Sequence, residues 1–118
     1  MMPRGWIALL LVPVAFASCA TSSSSLYSWY NYEKAVYQYV KKGTPETQEK
    51  LLGEYKRIIA RQQALRRVVP PGMYAEYGFL LCRTGRKADG ISFLKEEIRL
   101  YPESEKYISR IIKQIEEK

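Results

Sequence analysis

The chain has 118 residues, 47% of them hydrophobic and 13% aromatic, which is enough for one modest core and too apolar for a disordered polymer. Its formal charge of +7 favours acidic surfaces such as phospholipid, lipopolysaccharide or an acidic protein, and is not by itself an argument for nucleic acid. Histidine is absent, so the commonest neutral-pH general base and metal ligand is missing.

Residues 1–18 have the layout of an export signal: Arg4 supplies the positive start and residues 6–17 an apolar stretch. That stretch is shorter than the roughly 20 residues that a spanning helix needs. Phe16, Ala17, Ser18 and Cys19 resemble a bacterial lipobox, with Phe16 where Leu or Val is usual. In such a site the Cys sulfur receives diacylglycerol and cleavage leaves that Cys as the first mature residue. The resemblance implies lipidation at Cys19 and membrane lipid as a partner; Ala20 in place of Asp implies sorting to the outer membrane. An ordinary secretory cut or an uncleaved anchor is the alternative. Removal of the leader leaves Cys82 as a free thiol, with no intrachain disulfide possible. Lying beside Leu80 and Leu81, it reads as a small buried residue.

Residues 19–25 form a polar tether without apolar periodicity. A tyrosine-rich helix is expected over residues 26–42, with Trp29, Tyr32, Val36, Tyr39 and Val40 on its inner face. Tyr27, Tyr30 and Tyr37 fall off that face, where aromatic rings serve either a partner surface or packing under a neighbouring helix. Gly43 stops this helix. Thr44, Pro45 and Glu46 start the next with a hydroxyl cap, a first-turn proline and an early acid. The spacing predicts a second helix to about Val68, with Leu51, Leu52, Tyr55, Ile58, Ile59 and Leu65 inward. Its other face carries Lys50, Lys56, Arg57, Arg61, Arg66 and Arg67, either solvated or an anion-binding patch. Val69, Pro70, Pro71 and Gly72 then force the chain out of helix.

A helical hairpin is predicted between Pro71 and Pro102, broken at Thr84 and Gly85. A glycine in mid-helix costs about 1 kcal/mol relative to Ala, so Gly78 suggests a helix contact too close for a β-carbon. Tyr74, Tyr77, Gly78 and Leu81, followed by Gly90, Leu94, Ile98, Leu100 and Pro102, resemble the tetratricopeptide repeat. Three positions depart from it: Gly90 replaces Ala, Leu94 replaces Phe, and Glu97 stands where a small apolar residue is expected. A last amphipathic helix over residues 103–117 carries Tyr107, Ile108, Ile111, Ile112 and Ile115 on one stripe, suited to capping the stack or to docking a partner helix. The fold class expected is all-α: TPR-like antiparallel helical hairpins, about five helices, over residues 26–118.

The opening Leu26, Tyr27, Ser28, Trp29, Tyr30, Asn31, Tyr32, the run from Val69 to Glu76 and the ending Leu100, Tyr101, Pro102, Glu103, Ser104 carry a second likeness. Together with the lipobox they resemble a family of uncharacterised bacterial lipoproteins with a tetratricopeptide-like domain of unknown function. Members of that family are often encoded beside lipoproteins similar to the curli secretion channel. The resemblance implies an envelope assembly with this protein as an accessory, and it brings no catalytic residues and no cofactor.

The expected function is a lipid-anchored periplasmic adaptor for an envelope protein, with Tyr30, Tyr37, Arg83 and Arg86 as candidate contacts. The alternative is a structural or regulatory subunit of an oligomeric curli-channel-like secretion complex. Enzymatic function is disfavoured: the acid pairs Glu96, Glu97 and Glu116, Glu117 are adjacent on helices and diverge, and no phosphate loop or metal-ligand spacing occurs.

Overall fold

The computed structural model describes residues 25–118. The export signal, the lipobox with its acceptor Cys19, and most of the tether lie outside the described residues. Those described form five α-helices and no β-strand: α1 (Tyr32–Lys42), α2 (Pro45–Ala60), α3 (Met73–Arg83), α4 (Lys87–Leu100) and α5 (Glu105–Glu116), with a short 3₁₀ turn at Pro102–Ser104. The all-α expectation holds.

Several helix boundaries follow from local chemistry. Gly43 takes a left-handed φ of +61° and donates its N–H to the Tyr39 carbonyl at 2.8 Å, closing α1. Thr44 and Thr47 then cap α2 reciprocally: each side-chain oxygen accepts the other's backbone N–H, at 3.1 and 3.2 Å. At the end of α3, Gly85 sits at φ +92° while Arg86 N–H returns to the Leu81 carbonyl at 2.9 Å. These features form a Schellman closure, which turns the chain directly into α4.

The hairpin of α3 and α4 is the tightest junction. A β-carbon placed on Gly78 would lie 2.6 Å from the Gly90 carbonyl oxygen and 3.0 Å from the Leu94 nitrogen. One placed on Gly90 would run into Cys82 Sγ and the Gly78 carbonyl. The two backbones therefore touch where both chains lack side chains, as the sequence predicts for Gly78. The Leu94 side chain lies against Gly78 at the crossing and is fully buried.

The apolar residues gather into two clusters, with the hairpin between them. One joins Leu51, Leu52, Tyr55 and Ile58 of α2 to Met73, Tyr77, Leu80 and Leu81 of α3, with Tyr32, Val36 and Tyr39 of α1 against its flank. The other joins Leu94 of α4 to Ile108 and Ile112 of α5, with Ile111 and Ile115 at its edge. The isoleucine stripe of α5 thus covers the far side of the hairpin. Tyr107, expected on that stripe, points out into water.

Two predicted helix ends are corrected. The first helix begins at Tyr32 rather than Leu26, and the second ends at Ala60 rather than Val68. The cause is the same at both sites. Residues 25–29 lie alongside residues 61–66, and their backbone groups bond across the gap instead of along a helix. Ser28 N–H donates to Gln62 Oε1 at 2.9 Å, while Gln62 Nε2 donates to the Ser28 carbonyl at 2.9 Å and to the Ile58 carbonyl at 2.8 Å. Arg66 N–H reaches the Leu26 carbonyl at 3.1 Å, and Gln63 N–H reaches Ser28 Oγ at 3.0 Å. Leu65, expected inward, is consequently 68% exposed, and Trp29 is also on the surface. Val40, a third residue assigned inward, is exposed because the side of α1 that meets the core is the one carrying Tyr32, Ala35, Val36 and Tyr39, and Val40 falls beside it.

Candidate functional site

An aromatic ladder runs from Trp29, just before α1, through α1, α2 and α3 to Phe93 of α4, and fixes how α1 is displayed. Successive ring centroids are 5.5 Å apart for Trp29 and Tyr32, 6.1 Å for Tyr32 and Tyr55, 6.1 Å for Tyr55 and Tyr77, and 4.7 Å for Tyr77 and Phe93. Rings at these separations and tilts attract one another beyond their simple burial. The Glu76 carboxylate completes the tie. It accepts the Tyr32 hydroxyl at 2.8 Å and the Tyr55 hydroxyl at 3.0 Å, joining α1, α2 and α3 through one oxygen. Burial, reinforced by the Glu76 carboxylate, pushes the Tyr32 phenol up to about 12 and raises Tyr55 further, so both remain neutral donors across the physiological range.

With its inner face committed to this ladder, α1 turns the opposite face to solvent. Tyr30, Tyr37 and Val40 line one shallow surface there, with Glu33 and Lys34 at its edge and Val36, half-buried against the core, bordering it. Tyr37 is 58% exposed and Val40 77% exposed. Lys41 Nζ lies 5.7 Å from the centre of the Tyr37 ring. Tyr30 is held differently from the way a helical reading implies. It occupies a turn at φ +48°, its hydroxyl donates to the Arg61 carbonyl, and the Arg57 guanidinium stands 4.9 Å from its ring centre. Tyr30 therefore has one face engaged with α2 and the remainder facing outward.

Arg83 and Arg86 are placed elsewhere. Both lie at the tip of the hairpin, and neither lines the α1 surface. Arg86 Nη2 is 3.7 Å from Glu49 Oε1 of α2, a solvent-screened ion pair that contributes little to stability. The structure thus brings Tyr30 and Tyr37 together and leaves the two arginines apart. Cys19 lies outside the described residues.

Cys82 is half-buried against the glycine crossing, and burial raises its thiol above the ordinary value, with Lys87 opposing the shift. A raised pKa keeps the thiol protonated and poorly nucleophilic. Among the described residues, no three Cys, Asp or Glu side chains converge as a metal ion requires.

Sequence reasoning missed three positioning residues. Glu97 does not mark a weak repeat. It is 3% exposed, and its carboxylate accepts Gly72 N–H at 2.9 Å and Ala75 N–H at 3.1 Å, capping the start of α3 from α4. An acid in a slot expected to be apolar was the available signal. Glu76 and Gln62 gave none, since both sit in stretches where a surface polar residue is ordinary.

Residues 26–111 match the family described as Domain of unknown function (DUF4810). The chain belongs to that family. The match begins at the segment strapped against residues 61–66 and extends through α1–α4 into α5, so that segment is part of the family domain and not of a leader. No curated protein and no solved structure matches the chain. No helix among the described residues is long and apolar enough to cross a membrane.

Proposed function

We propose that this DUF4810 protein is a non-enzymatic, lipid-anchored adaptor of the periplasm. Cys19 carries the acyl chains in the outer membrane, and the helical domain holds a partner protein of an envelope assembly. The observation that carries the reading is the outward face of α1, where Tyr37 and Val40 stand in water beside Val36 and Tyr30. Large apolar side chains gathered on one exposed surface are a common feature of protein contacts, and tyrosine is enriched in them. The glycine crossing of Gly78 and Gly90 and the hairpin order of α3 and α4 support a tetratricopeptide-like description of the domain. The lipobox-like sequence ending in Cys19 supports the anchor, and the family resemblance supports a curli-channel-like lipoprotein as partner.

The test is photo-crosslinking in intact envelopes, with a benzophenone amino acid at Tyr37 and, as control, at the exposed Lys113 of α5. The adaptor reading expects one discrete protein adduct from position 37, its loss in Val40→Lys, and its reduction in Cys19→Ser, where the anchor is gone. Adducts from position 113 with none from position 37 would put the contact on α5 and overturn the α1 assignment. A self-adduct from position 37, with a multimer on size-exclusion chromatography, would favour the oligomeric subunit instead.

A further inference from the structure

The segment that the family match begins with and the loop beneath it form a second exposed surface, distinct in chemistry from the α1 face. Leu26, Trp29, Leu65 and Val68 are large apolar side chains left open to water there. Trp29 and Leu65 share one shallow concavity with Arg67, and Arg66 is bonded through its N–H to the Leu26 carbonyl. Arg67 stands at φ +53°, a left-handed conformation unfavourable for a residue with a side chain.

Arg67 lines the concavity and Arg66 is bonded to the segment beside it, and between Glu54 and Glu76 the chain contains no acidic residue. Arg66 and Arg67 form no ion pair among the described residues. Tryptophan, leucine and arginine in one exposed patch are the groups that settle at a lipid–water boundary. The indole sits at headgroup level, the aliphatic chains enter the acyl region, and the guanidinium reaches back to phosphate.

The covalent path favours the same occupant. The described chain starts at Ser25, whose carbonyl accepts from Leu65 N–H within this patch, six positions after Cys19. Six residues span at most about 20 Å when fully extended. Resting on the lipid-anchor reading given above, we infer that the surface formed by Leu26, Trp29, Leu65, Arg66 and Arg67 lies against the anionic phospholipid headgroups of the membrane that holds Cys19. The domain is then oriented on the bilayer, and α1 is presented to its partner in a fixed direction.

The experiment uses the acylated protein processed from a precursor carrying Trp6→Phe, so that Trp29 is its single tryptophan whether or not the leader has been removed. It is reconstituted into vesicles of phosphatidylcholine alone or of equal parts phosphatidylcholine and phosphatidylglycerol, each with acyl chains brominated for fluorescence quenching. Trp29 emission is expected to be quenched by the brominated chains and shielded from aqueous acrylamide in the anionic vesicles. Each arginine contributes about a fivefold preference for such a surface, so Arg66→Glu with Arg67→Glu should return quenching to the phosphatidylcholine level. Leu65→Ser, with the helical circular dichroism unchanged, should weaken it independently. The mass of the N-terminal peptide is read on the same sample. Acylated Cys19 with an unquenched, acrylamide-accessible Trp29 overturns the membrane face alone and leaves that surface for a protein. Cys19 without acyl chains overturns the anchor, and the membrane face with it.

Discussion

The two junctions of this domain are built on opposite principles. Between α3 and α4 the helices meet backbone to backbone at Gly78 and Gly90, and the turn that joins them is closed by its own residues, Leu81, Gly85 and Arg86. At the start of α1 and the end of α2 the helices are bounded instead by residues more than thirty positions apart, with the Gln62 amide bonding Ser28 on one side and Ile58 on the other. A junction written in local chemistry tolerates little change within it. One written in distant hydrogen bonds can loosen without the rest of the core following. The consequence for function is that the strapped segment can loosen while α1 stays tied to α2 and α3 through Tyr32, Tyr55 and Glu76, and of the two proposed contact surfaces it is the membrane face that lies on that segment.

The largest effect expected from this contrast is at the glycine crossing. Gly78→Leu would drive a side chain into the Gly90 carbonyl and the Leu94 backbone, atoms that cannot swing aside. Overpacking of this kind costs about 3 kcal/mol or more. For a domain of this size each kcal/mol lowers the thermal midpoint by about 4–8 °C. Calorimetry should show an unfolded chain or a drop of that order. An unchanged midpoint would mean that α3 and α4 do not need their close approach.

Gln62→Ala probes the other junction and should cost less. It removes two hydrogen bonds donated by the side chain and one accepted from Ser28 N–H, an expected loss of about 1–3 kcal/mol. Where that loss is felt matters more than its size. Hydrogen exchange should quicken at Ser28 and Arg66 while the Leu80 and Leu81 amides of α3 keep their protection. Equal acceleration at all four would show that the strapped segment and the hairpin open together, and the distinction between the two junctions would fail.

The same contrast decides what could be read in the sequence. Gly43, the Thr44 and Pro45 start and the Gly85 turn were legible because each is a local backbone requirement met by the residue standing there. The end of α2 was not, because Arg61, Gln62, Gln63, Ala64, Leu65 and Arg66 are all good helix formers, and what stops them is the bonding of residues 25–28 from across the fold. Glu97 misled for a related reason. Its partners are the amides at the start of α3, and although an acid in an apolar slot marked the position as unusual, nothing in the sequence said which groups it caps. For the candidate site, the spacing of Tyr37 correctly put it on the outward face of α1. Nothing in the spacing showed that Arg83 and Arg86 belong to the other end of a hairpin that does not reach that face.

The smallest expected effect tests the reasoning behind the largest. Gly53 also lies inside a helix, in the middle of α2, yet a β-carbon there would meet no atom within 4 Å. Gly53→Ala should therefore stabilise the domain by about 0.5–1 kcal/mol, read as a small rise in the denaturant midpoint with an unchanged slope. A substitution favourable at Gly53 and ruinous at Gly78 would establish that a glycine inside a helix does not of itself mark a crossing. What distinguishes Gly78 is Gly90 at the facing position on α4, so that two backbones, each lacking a side chain, can meet. If Gly53→Ala instead destabilised the protein, the outer side of α2 would have to be packed against something in solution. The basic surface carried by that helix would then have to be treated as an interface and not as a solvated face.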